Sequence, residues 1–294
     1  MHGKKLRANF LLMLTAFIWG MAFVAQSRGM ENCGPFLFNG VRSLLGAAVL
    51  LPVIAVLDKN KTDEKEKKWP LLGGLACGLA LFIASSLQQV GIMDSGAGKA
   101  GFITALYVVL VPVFRLFLGK KASFITWLSV GIAIFGMYLL CMDGATFSVA
   151  KSDLLLLGCA AVFAVHIIVI DHFAPSVNCV HMACLQFFVT GVLSLITAFF
   201  VEDVKLISVM DAAVPILYTG ILSSGVAYTL QIVAQKDTDP TSAALICSLE
   251  SVFALLGGWL LMHEGFSARE LFGCGLTFGA IILSQLPIFT YRKD

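Results

Sequence analysis

Charge is what this chain has least of. Only 13% of its 294 residues are Asp, Glu, Lys or Arg, about half the roughly 25% typical of a soluble domain. That scarcity excludes a sizeable soluble domain. The eight cysteines include no C-x-x-C spacing and no Cys/His cluster at metal-ligand spacing, so neither a metal centre nor a redox pair is encoded. Seven lie within or at the ends of apolar segments and Cys33 sits in a short loop, where cysteine serves as a small apolar residue. A G-x-x-x-x-G-K-[ST] loop is missing, which removes the signature of an ATP-driven pump. There is no Asp-rich diphosphate motif, and Asp237-Thr238-Asp239-Pro240 reads as a tight turn. Gly220-Ile221-Leu222-Ser223-Ser224-Gly225 faintly resembles a serine-nucleophile motif but lacks strand-turn-helix context. It reads as small-residue helix packing, leaving an intramembrane hydrolase at Ser223 or Ser224 as a rival. The expectation is no enzyme, no cofactor, no metal and no nucleic-acid partner.

What is present is long apolar sequence. Hydrophobic residues make up 59% of the chain, and the mean hydropathy is +0.91. Ten segments, 8–26, 35–57, 70–92, 98–118, 122–142, 153–171, 179–201, 210–234, 241–262 and 270–290, approach the ~20 residues that cross a bilayer. Lys4-Lys5-Arg7 before the first of them imitates a signal peptide, but no small-residue cleavage site follows, so this segment reads as an uncleaved first helix.

The chain also reads twice. Residues 87–140 lie over 230–283 at an offset of 143, pairing Gln88 with Gln231, Ala100 with Ala243, Leu106 with Leu249 and Gly136 with Gly279. Upstream, Leu11-Ala16-Trp19 lies over Leu155-Ala160-Phe163 at an offset of 144. Five apolar segments per copy is an odd number, so the second copy enters the membrane from the opposite side. The expected fold is all-α and integral to the membrane: ten transmembrane helices in two inverted five-helix repeats, 1–142 and 153–291. Repeats of that kind build alternating-access transporters with the substrate at their interface.

With the N-terminus inside, the inner segments hold 14 of the 20 Lys and Arg residues and the outer segments hold five. This places both termini in the cytoplasm. The mixed-sign run 58–68 reads as a solvated cytoplasmic loop, with Trp69 and Tyr291 as interface anchors.

Polar groups inside apolar spans are functional candidates. Glu250 sits mid-span, and its repeat equivalent is Tyr107; a carboxylate there either carries a proton or ties two helices together. Arg42, equivalent to Gln186, can hold a substrate carboxylate, pair with Glu250, or snorkel to the outer interface. Ser224, Tyr228, Gln231 and Gln235 follow one helical face, echoed by Ser85 and Gln88. Thr15, Trp19 and Gln26 share another face, as do Phe163 and His166. His166 reads first as a hydrogen-bonded core histidine and second as a proton site. The small pairs Gly74/Gly78 and Gly275/Gly279 allow close helix contact within the fold or at a dimer, so the chain is monomer or homodimer.

Trp19-Gly20-Met21-Ala22-Phe23, Arg42 in Phe38-Asn39-Gly40-Val41-Arg42, the Ala100–Pro112 stretch, and Leu249-Glu250 followed by Leu260-Leu261-Met262-His263-Glu264 together resemble the EamA-type transporters of the drug/metabolite transporter superfamily. The resemblance implies ten helices, a central cavity lined by the first four helices of each repeat, and the fifth and tenth at the periphery. It implies a bacterial inner-membrane protein moving small metabolites such as amino acids, without a cofactor. Ser251 replaces the usual proline after the glutamate, putting a helix break there in question, and Lys121 stands where a glutamate matching Glu264 is usual. The expected substrate site is Glu250, Arg42, Tyr107, Gln88, Gln231, Tyr228 and Trp19, with Glu250 and His166 as proton sites. A non-transporting sensor or scaffold is the alternative.

Overall fold

The computed structural model describes residues 2–59, 71–95, 97–141, 150–262 and 267–285. The charged loop and both expected anchors, Trp69 and Tyr291, therefore lie largely or wholly outside the described residues, as does Glu264. Every regular element among the described residues is helical, as a bilayer requires of backbone that cannot hydrogen-bond to water. In order they are α1 His2–Gly29, α2 Pro35–Lys59, α3 Leu71–Ser95, α4 Ala97–Ala105, α5 Tyr107–Phe117, α6 Phe124–Cys141 and α7 Lys151–Phe173. Then come a 3₁₀-helix Ala174–Ser176, α8 Cys179–Val201, the short α9 Leu206–Asp211, α10 Ala213–Leu217, a π-helix Tyr218–Tyr228, α11 Thr229–Ala234, α12 Pro240–Cys247, α13 Glu250–Met262 and α14 Ala268–Gln285.

Among the described residues, eight helical stretches are long and apolar enough to cross a membrane. Two of them are composite, α4 with α5 and α12 with α13, and α10 runs through the π-helix into α11. α6 contains a shorter apolar stretch, Phe124–Leu139, and α14 falls outside the eight. Large apolar side chains such as Phe10, Phe17, Leu72, Phe188 and Phe199 are exposed around the bundle, where lipid rather than water is the neighbour.

Glycines set how closely the helices cross. A Cβ at Gly46 of α2 would lie 2.7 Å from Ser224 Cβ and 3.1 Å from Gly220 O, so α2 and the π-helix touch through small residues. This is the packing role the 220–225 segment suggested. Gly74 and Gly78 of α3 face Leu185 and Val189 of α8, so that pair acts within the chain. A Cβ at Gly275 or Gly279 would meet nothing within 4 Å, so this second pair makes no such contact among the described residues.

Both composite helices break at corresponding places. Leu106 separates α4 from α5, and Ser248-Leu249 separates α12 from α13. Leu106 N–H bonds Ile103 O and Leu249 N–H bonds Ile246 O, each at 3.2 Å, the tighter i→i−3 pattern of a 3₁₀ turn. Ser251 therefore does not abolish the break: it is built by backbone hydrogen bonding and needs no proline at that position. α6 and α14 pack on each other beside the bundle, and α2 packs along α8.

Polar side chains fasten the helix ends. Asp239 caps α12 by accepting from Thr241 and Ser242 N–H, with Pro240 at the first helical position. Arg115 at the end of α5 reaches the same place, donating to Asp239 Oδ1 at 3.2 Å and to Thr241 Oγ1 at 3.0 Å. His181 Nε2 and Asp58 Oδ2 are 3.1 Å apart, joining the start of α8 to the end of α2. We call this the basic end of the bundle. At the opposite end Glu202 accepts from Phe36 and Leu37 N–H at 2.8 and 2.9 Å, joining the end of α8 to the start of α2.

Candidate functional site

The helix crossings leave a cavity of about 510 Å³ of empty space including its open mouth. All seven residues expected at the site line it: Trp19, Arg42, Gln88, Tyr107, Tyr228, Gln231 and Glu250. His166 lines it too, with Ala22, Phe23, Gln26, Thr104, Phe163, Ile167 and Ser223. Residues separated by more than 200 positions thus share one wall, contributed by α1, α2, α3, α4, α5, α7, the π-helix, α11 and α13. Neither α6 nor α14 contributes to it among the described residues.

Glu250 opens α13 and Tyr107 opens α5, so each side chain emerges where its helix resumes after a break. Tyr107 donates its hydroxyl to Glu250 Oε1 at 3.1 Å. The two residues are 143 positions apart, which is the repeat offset. Both are buried, and a carboxylate withdrawn from water needs such a donor.

Arg42 is also buried, at 6% exposure, which excludes snorkelling. Among the described residues it makes no ion pair, so it is not Glu250's partner either. Its Nε donates to Asn39 Oδ1 at 2.9 Å, and its guanidinium carbon lies 5.9 Å from the Phe38 ring centre.

Aromatic rings form the remaining wall. Trp19 and Tyr228 are 4.5 Å apart at 54°, and Phe187 and His166 meet the Tyr228 ring edge-on at 5.4 and 6.0 Å. His166 Nε2 lies 3.1 Å from Gln186 Oε1, the hydrogen-bonded arrangement of a core histidine, even though the ring also faces the cavity. Five buried polar atoms of lining residues, Trp19 Nε1, Gln26 Oε1, Thr104 Oγ1, His166 Nδ1 and Gln231 Oε1, have no hydrogen-bond partner among the described residues. Orphaned polar atoms are rare in folded interiors, and those on the cavity wall are groups that a polar ligand can satisfy.

The polar stripe on the eighth span needs correction. Ser224 packs against α2, and Ser223 lines the cavity instead. The π-helix bonds i→i+5 and so has a wider turn than an α-helix, which rotates Ser223, five positions before Tyr228, towards the face of Tyr228. Gln235 donates to Ile167 O at 3.0 Å and Thr15 to Ala227 O at 3.1 Å; both tie helices together and neither lines the cavity. Ser85 lies behind the wall, accepting from Asn39 at 2.7 Å and donating to Leu81 O at 2.6 Å. Thr104 and Asn39 are not singled out by the sequence. Each stands three residues before a recognised site residue, and that i,i+3 neighbourhood was the available signal.

The EamA-like transporter family matches this chain twice, over residues 6–142 and 150–286. A protein of Archaeoglobus fulgidus described as an uncharacterized transporter is 31% identical over 286 residues, covering 97% of this chain and 88% of its own. The S-adenosylmethionine/S-adenosylhomocysteine transporter of Chlamydia muridarum is 23% identical over 285 residues, covering 91% of this chain and 88% of its own. A crystal structure 18% identical in sequence superposes with a TM-score of 0.78 over 95% of this chain and 96% of the other, a likeness of fold alone.

Proposed function

The chain belongs to the EamA-like transporter family, a multi-pass membrane transporter and not an enzyme, and on that premise we propose that it moves small amphipathic metabolites by alternating access. In this reading ten helices form two inverted five-helix repeats, 1–142 and 153–291, that rock about the cavity. The protein sits in the cell inner membrane as a monomer or homodimer, with both termini in the cytoplasm. The repeat reading is supported by equivalent positions bonding to each other, as Tyr107 and Glu250 do. It is supported again by Asp58 and Glu202, 144 residues apart, which tie the two ends of the α2/α8 pair. The orientation is supported by the Lys and Arg bias.

One observation carries the functional reading: the cavity collects Glu250, Arg42 and five unsatisfied polar atoms among aromatic rings. That combination suits a molecule with a charged or polar head and an apolar body. Glu250 binds a proton or a substrate amine, Trp19 and Tyr228 pack the apolar part, and Gln88 and Gln231 supply hydrogen bonds from equivalent positions. Amino acids, and the adenosyl amino acids for which the chlamydial relative is named, are the first substrates to test.

Proton coupling follows from the same pair. An ionised Glu250 accepts a charge-assisted hydrogen bond from Tyr107; protonation makes that bond neutral and weaker. The bond joins α5 to α13 at their breaks, so a proton loosens the contact between the halves. His166 is the second candidate proton site. The test is uptake into proteoliposomes with and without an inward proton gradient. Gradient-driven accumulation is expected in the wild type and lost in Glu250→Gln; full accumulation in that variant ends the proton role.

A further inference from the structure

Arg42 is held without being neutralised. A buried cation is costly unless something compensates it, and folds ordinarily supply a carboxylate. Here its hydrogen-bond acceptor among the described residues is the neutral amide of Asn39, bonded to Nε at 2.9 Å. Asn39 is fully buried and cannot turn away, because its Nδ2 donates to Ser85 Oγ at 2.7 Å and to Ser194 Oγ at 3.3 Å. Those two serines stand on α3 and α8, so three helices fix the orientation of one amide. With Phe38 beside the guanidinium, both the position and the tilt of Arg42 are set.

The consequence is chemical. Asn39 occupies Nε, and the two terminal nitrogens make no hydrogen bond to protein among the described residues. They form the edge of the guanidinium that matches a planar oxyanion with two parallel N–H···O bonds. Among the described residues lining the cavity, Arg42 is the one basic side chain apart from His166, which is engaged with Gln186. With no ion pair of its own among the described residues, Arg42 offers one positive charge to one negative charge, which fits a monoanionic carboxylate better than a phosphate dianion.

We propose that Asn39 is a positioning and specificity-determining residue: its neutral amide presents Arg42, still fully charged, to a substrate carboxylate. The proposal rests on the cavity being the substrate site. An aspartate at position 39 would occupy the same space and cancel the charge. The serine hydroxyls can donate as well as accept, so Asn39→Asp can keep its partners with the directions reversed, Ser85 turning its one proton from Leu81 O to the carboxylate. That substitution therefore separates charge from architecture.

The test uses the purified full chain in detergent, with benzoate and its neutral isostere benzamide as probes at matched ionic strength. Binding is read as a concentration-dependent rise in unfolding temperature. Benzoate is expected to stabilise the wild type and benzamide to do so far less. The benzoate response should weaken about tenfold or more in Asn39→Asp and vanish in Arg42→Gln. A merely structural Asn39 would change the unfolding temperature of the free protein and leave the benzoate midpoint where it was. Equal responses to benzoate and benzamide, or a wild-type benzoate midpoint in Asn39→Asp, overturns the proposal. If Asn39→Asp does not fold, Ser85→Ala removes the 2.7 Å bond that orients the amide; it should weaken benzoate severalfold, and an unchanged midpoint is again fatal. Proteoliposome uptake reports separately on transport: uptake without carboxylate preference removes this inference and leaves the transporter reading intact, whereas Arg42-dependent benzoate binding without any uptake does the reverse.

Discussion

The two ends of the bundle are built on one plan and finished differently. At the basic end α2 and α8 are tied by Asp58 and His181; at the opposite end they are tied by Glu202 and the N–H groups of Phe36 and Leu37. Glu202 stands 144 residues after Asp58 and His181 stands 144 after Leu37, so the ties are equivalent positions using different chemistry. Arg115, Asp239 and Thr241 form a further link at the basic end. Their equivalents at an offset of 143 are Gly258, Gly96 and Gly98, which have no side chains to form one. Duplication supplied a symmetric scaffold, and side-chain substitution then made its ends unequal. On the proposed alternating-access reading, rocking between two states needs the scaffold to be shared, and a preference between the states needs it not to be.

The largest effect should come from breaking helix contact. Gly136 and Gly279 are equivalent in sequence, yet a Cβ at Gly136 would lie 2.6 Å from Thr277 Oγ1 and 2.8 Å from Gly273 O, whereas one at Gly279 meets nothing within 4 Å. Gly136→Val should destabilise by about 1–3 kcal/mol, the usual range for overpacking, and Gly279→Val by far less. Thermal unfolding of the two purified variants measures the difference; equal losses would mean that Gly136 does not sit in a tighter α6–α14 contact than Gly279.

Separating the central pair comes next. Tyr107→Phe removes the donor and leaves Glu250 buried without its bond, a cost of about 1–3 kcal/mol. Proton-driven uptake should fall severalfold in Tyr107→Phe and fail in Glu250→Gln. Identical kinetics in Tyr107→Phe and wild type would show that the bond does not take part in the cycle.

The one-sided link at the basic end should have a smaller energetic effect. Arg115 and Asp239 are partly exposed, at 25% and 48% of their side-chain surface, and such pairs contribute about 0–1 kcal/mol. Arg115→Ala should leave the unfolding temperature within a few degrees of wild type. It should nevertheless raise the labelling of a cysteine placed in the cavity by a reagent supplied from the basic side. An Arg115→Asp, Asp239→Arg double exchange should restore the wild-type labelling rate if the ion pair is what closes that end.

The smallest test concerns the opposite end. Burial, and then the charge of Glu202, push the Cys33 thiol up to about 11. A thiol reacts as its thiolate, so Cys33 should be nearly inert to maleimide at neutral pH. Glu202→Gln removes the smaller of the two causes and should accelerate its reaction only a few-fold.

Much of this was legible in the sequence. The seven residues singled out by polarity inside apolar spans all line one cavity, because a polar group in a bilayer interior is costly unless it faces other protein or water. Ser223 was not legible, because α-helical spacing puts Ser224 on that face and the π-helix shifts it by a residue. Ser251 put the break before Glu250 in question, although the break is made by backbone turns at Leu106 and Leu249 that no residue type announces. Asn39 was not legible either, because a lone buried amide is ordinary until its partners from separate helices are seen together.

The sequence by itself determined that the chain crosses a membrane, that it does so with helices, that its halves correspond, and which few polar groups lie within the spans. Those are local properties: transfer free energy accumulates residue by residue, and helices satisfy their own backbone. Only the tertiary structure decided that Tyr107 bonds Glu250, that Arg42 is held by an amide and not by a carboxylate, and that the α2/α8 pair is tied by a His181–Asp58 side-chain contact at one end and by Glu202 on backbone N–H groups at the other. Such pairings depend on how distant helices cross, and the crossings are set by glycine contacts between segments far apart in the chain.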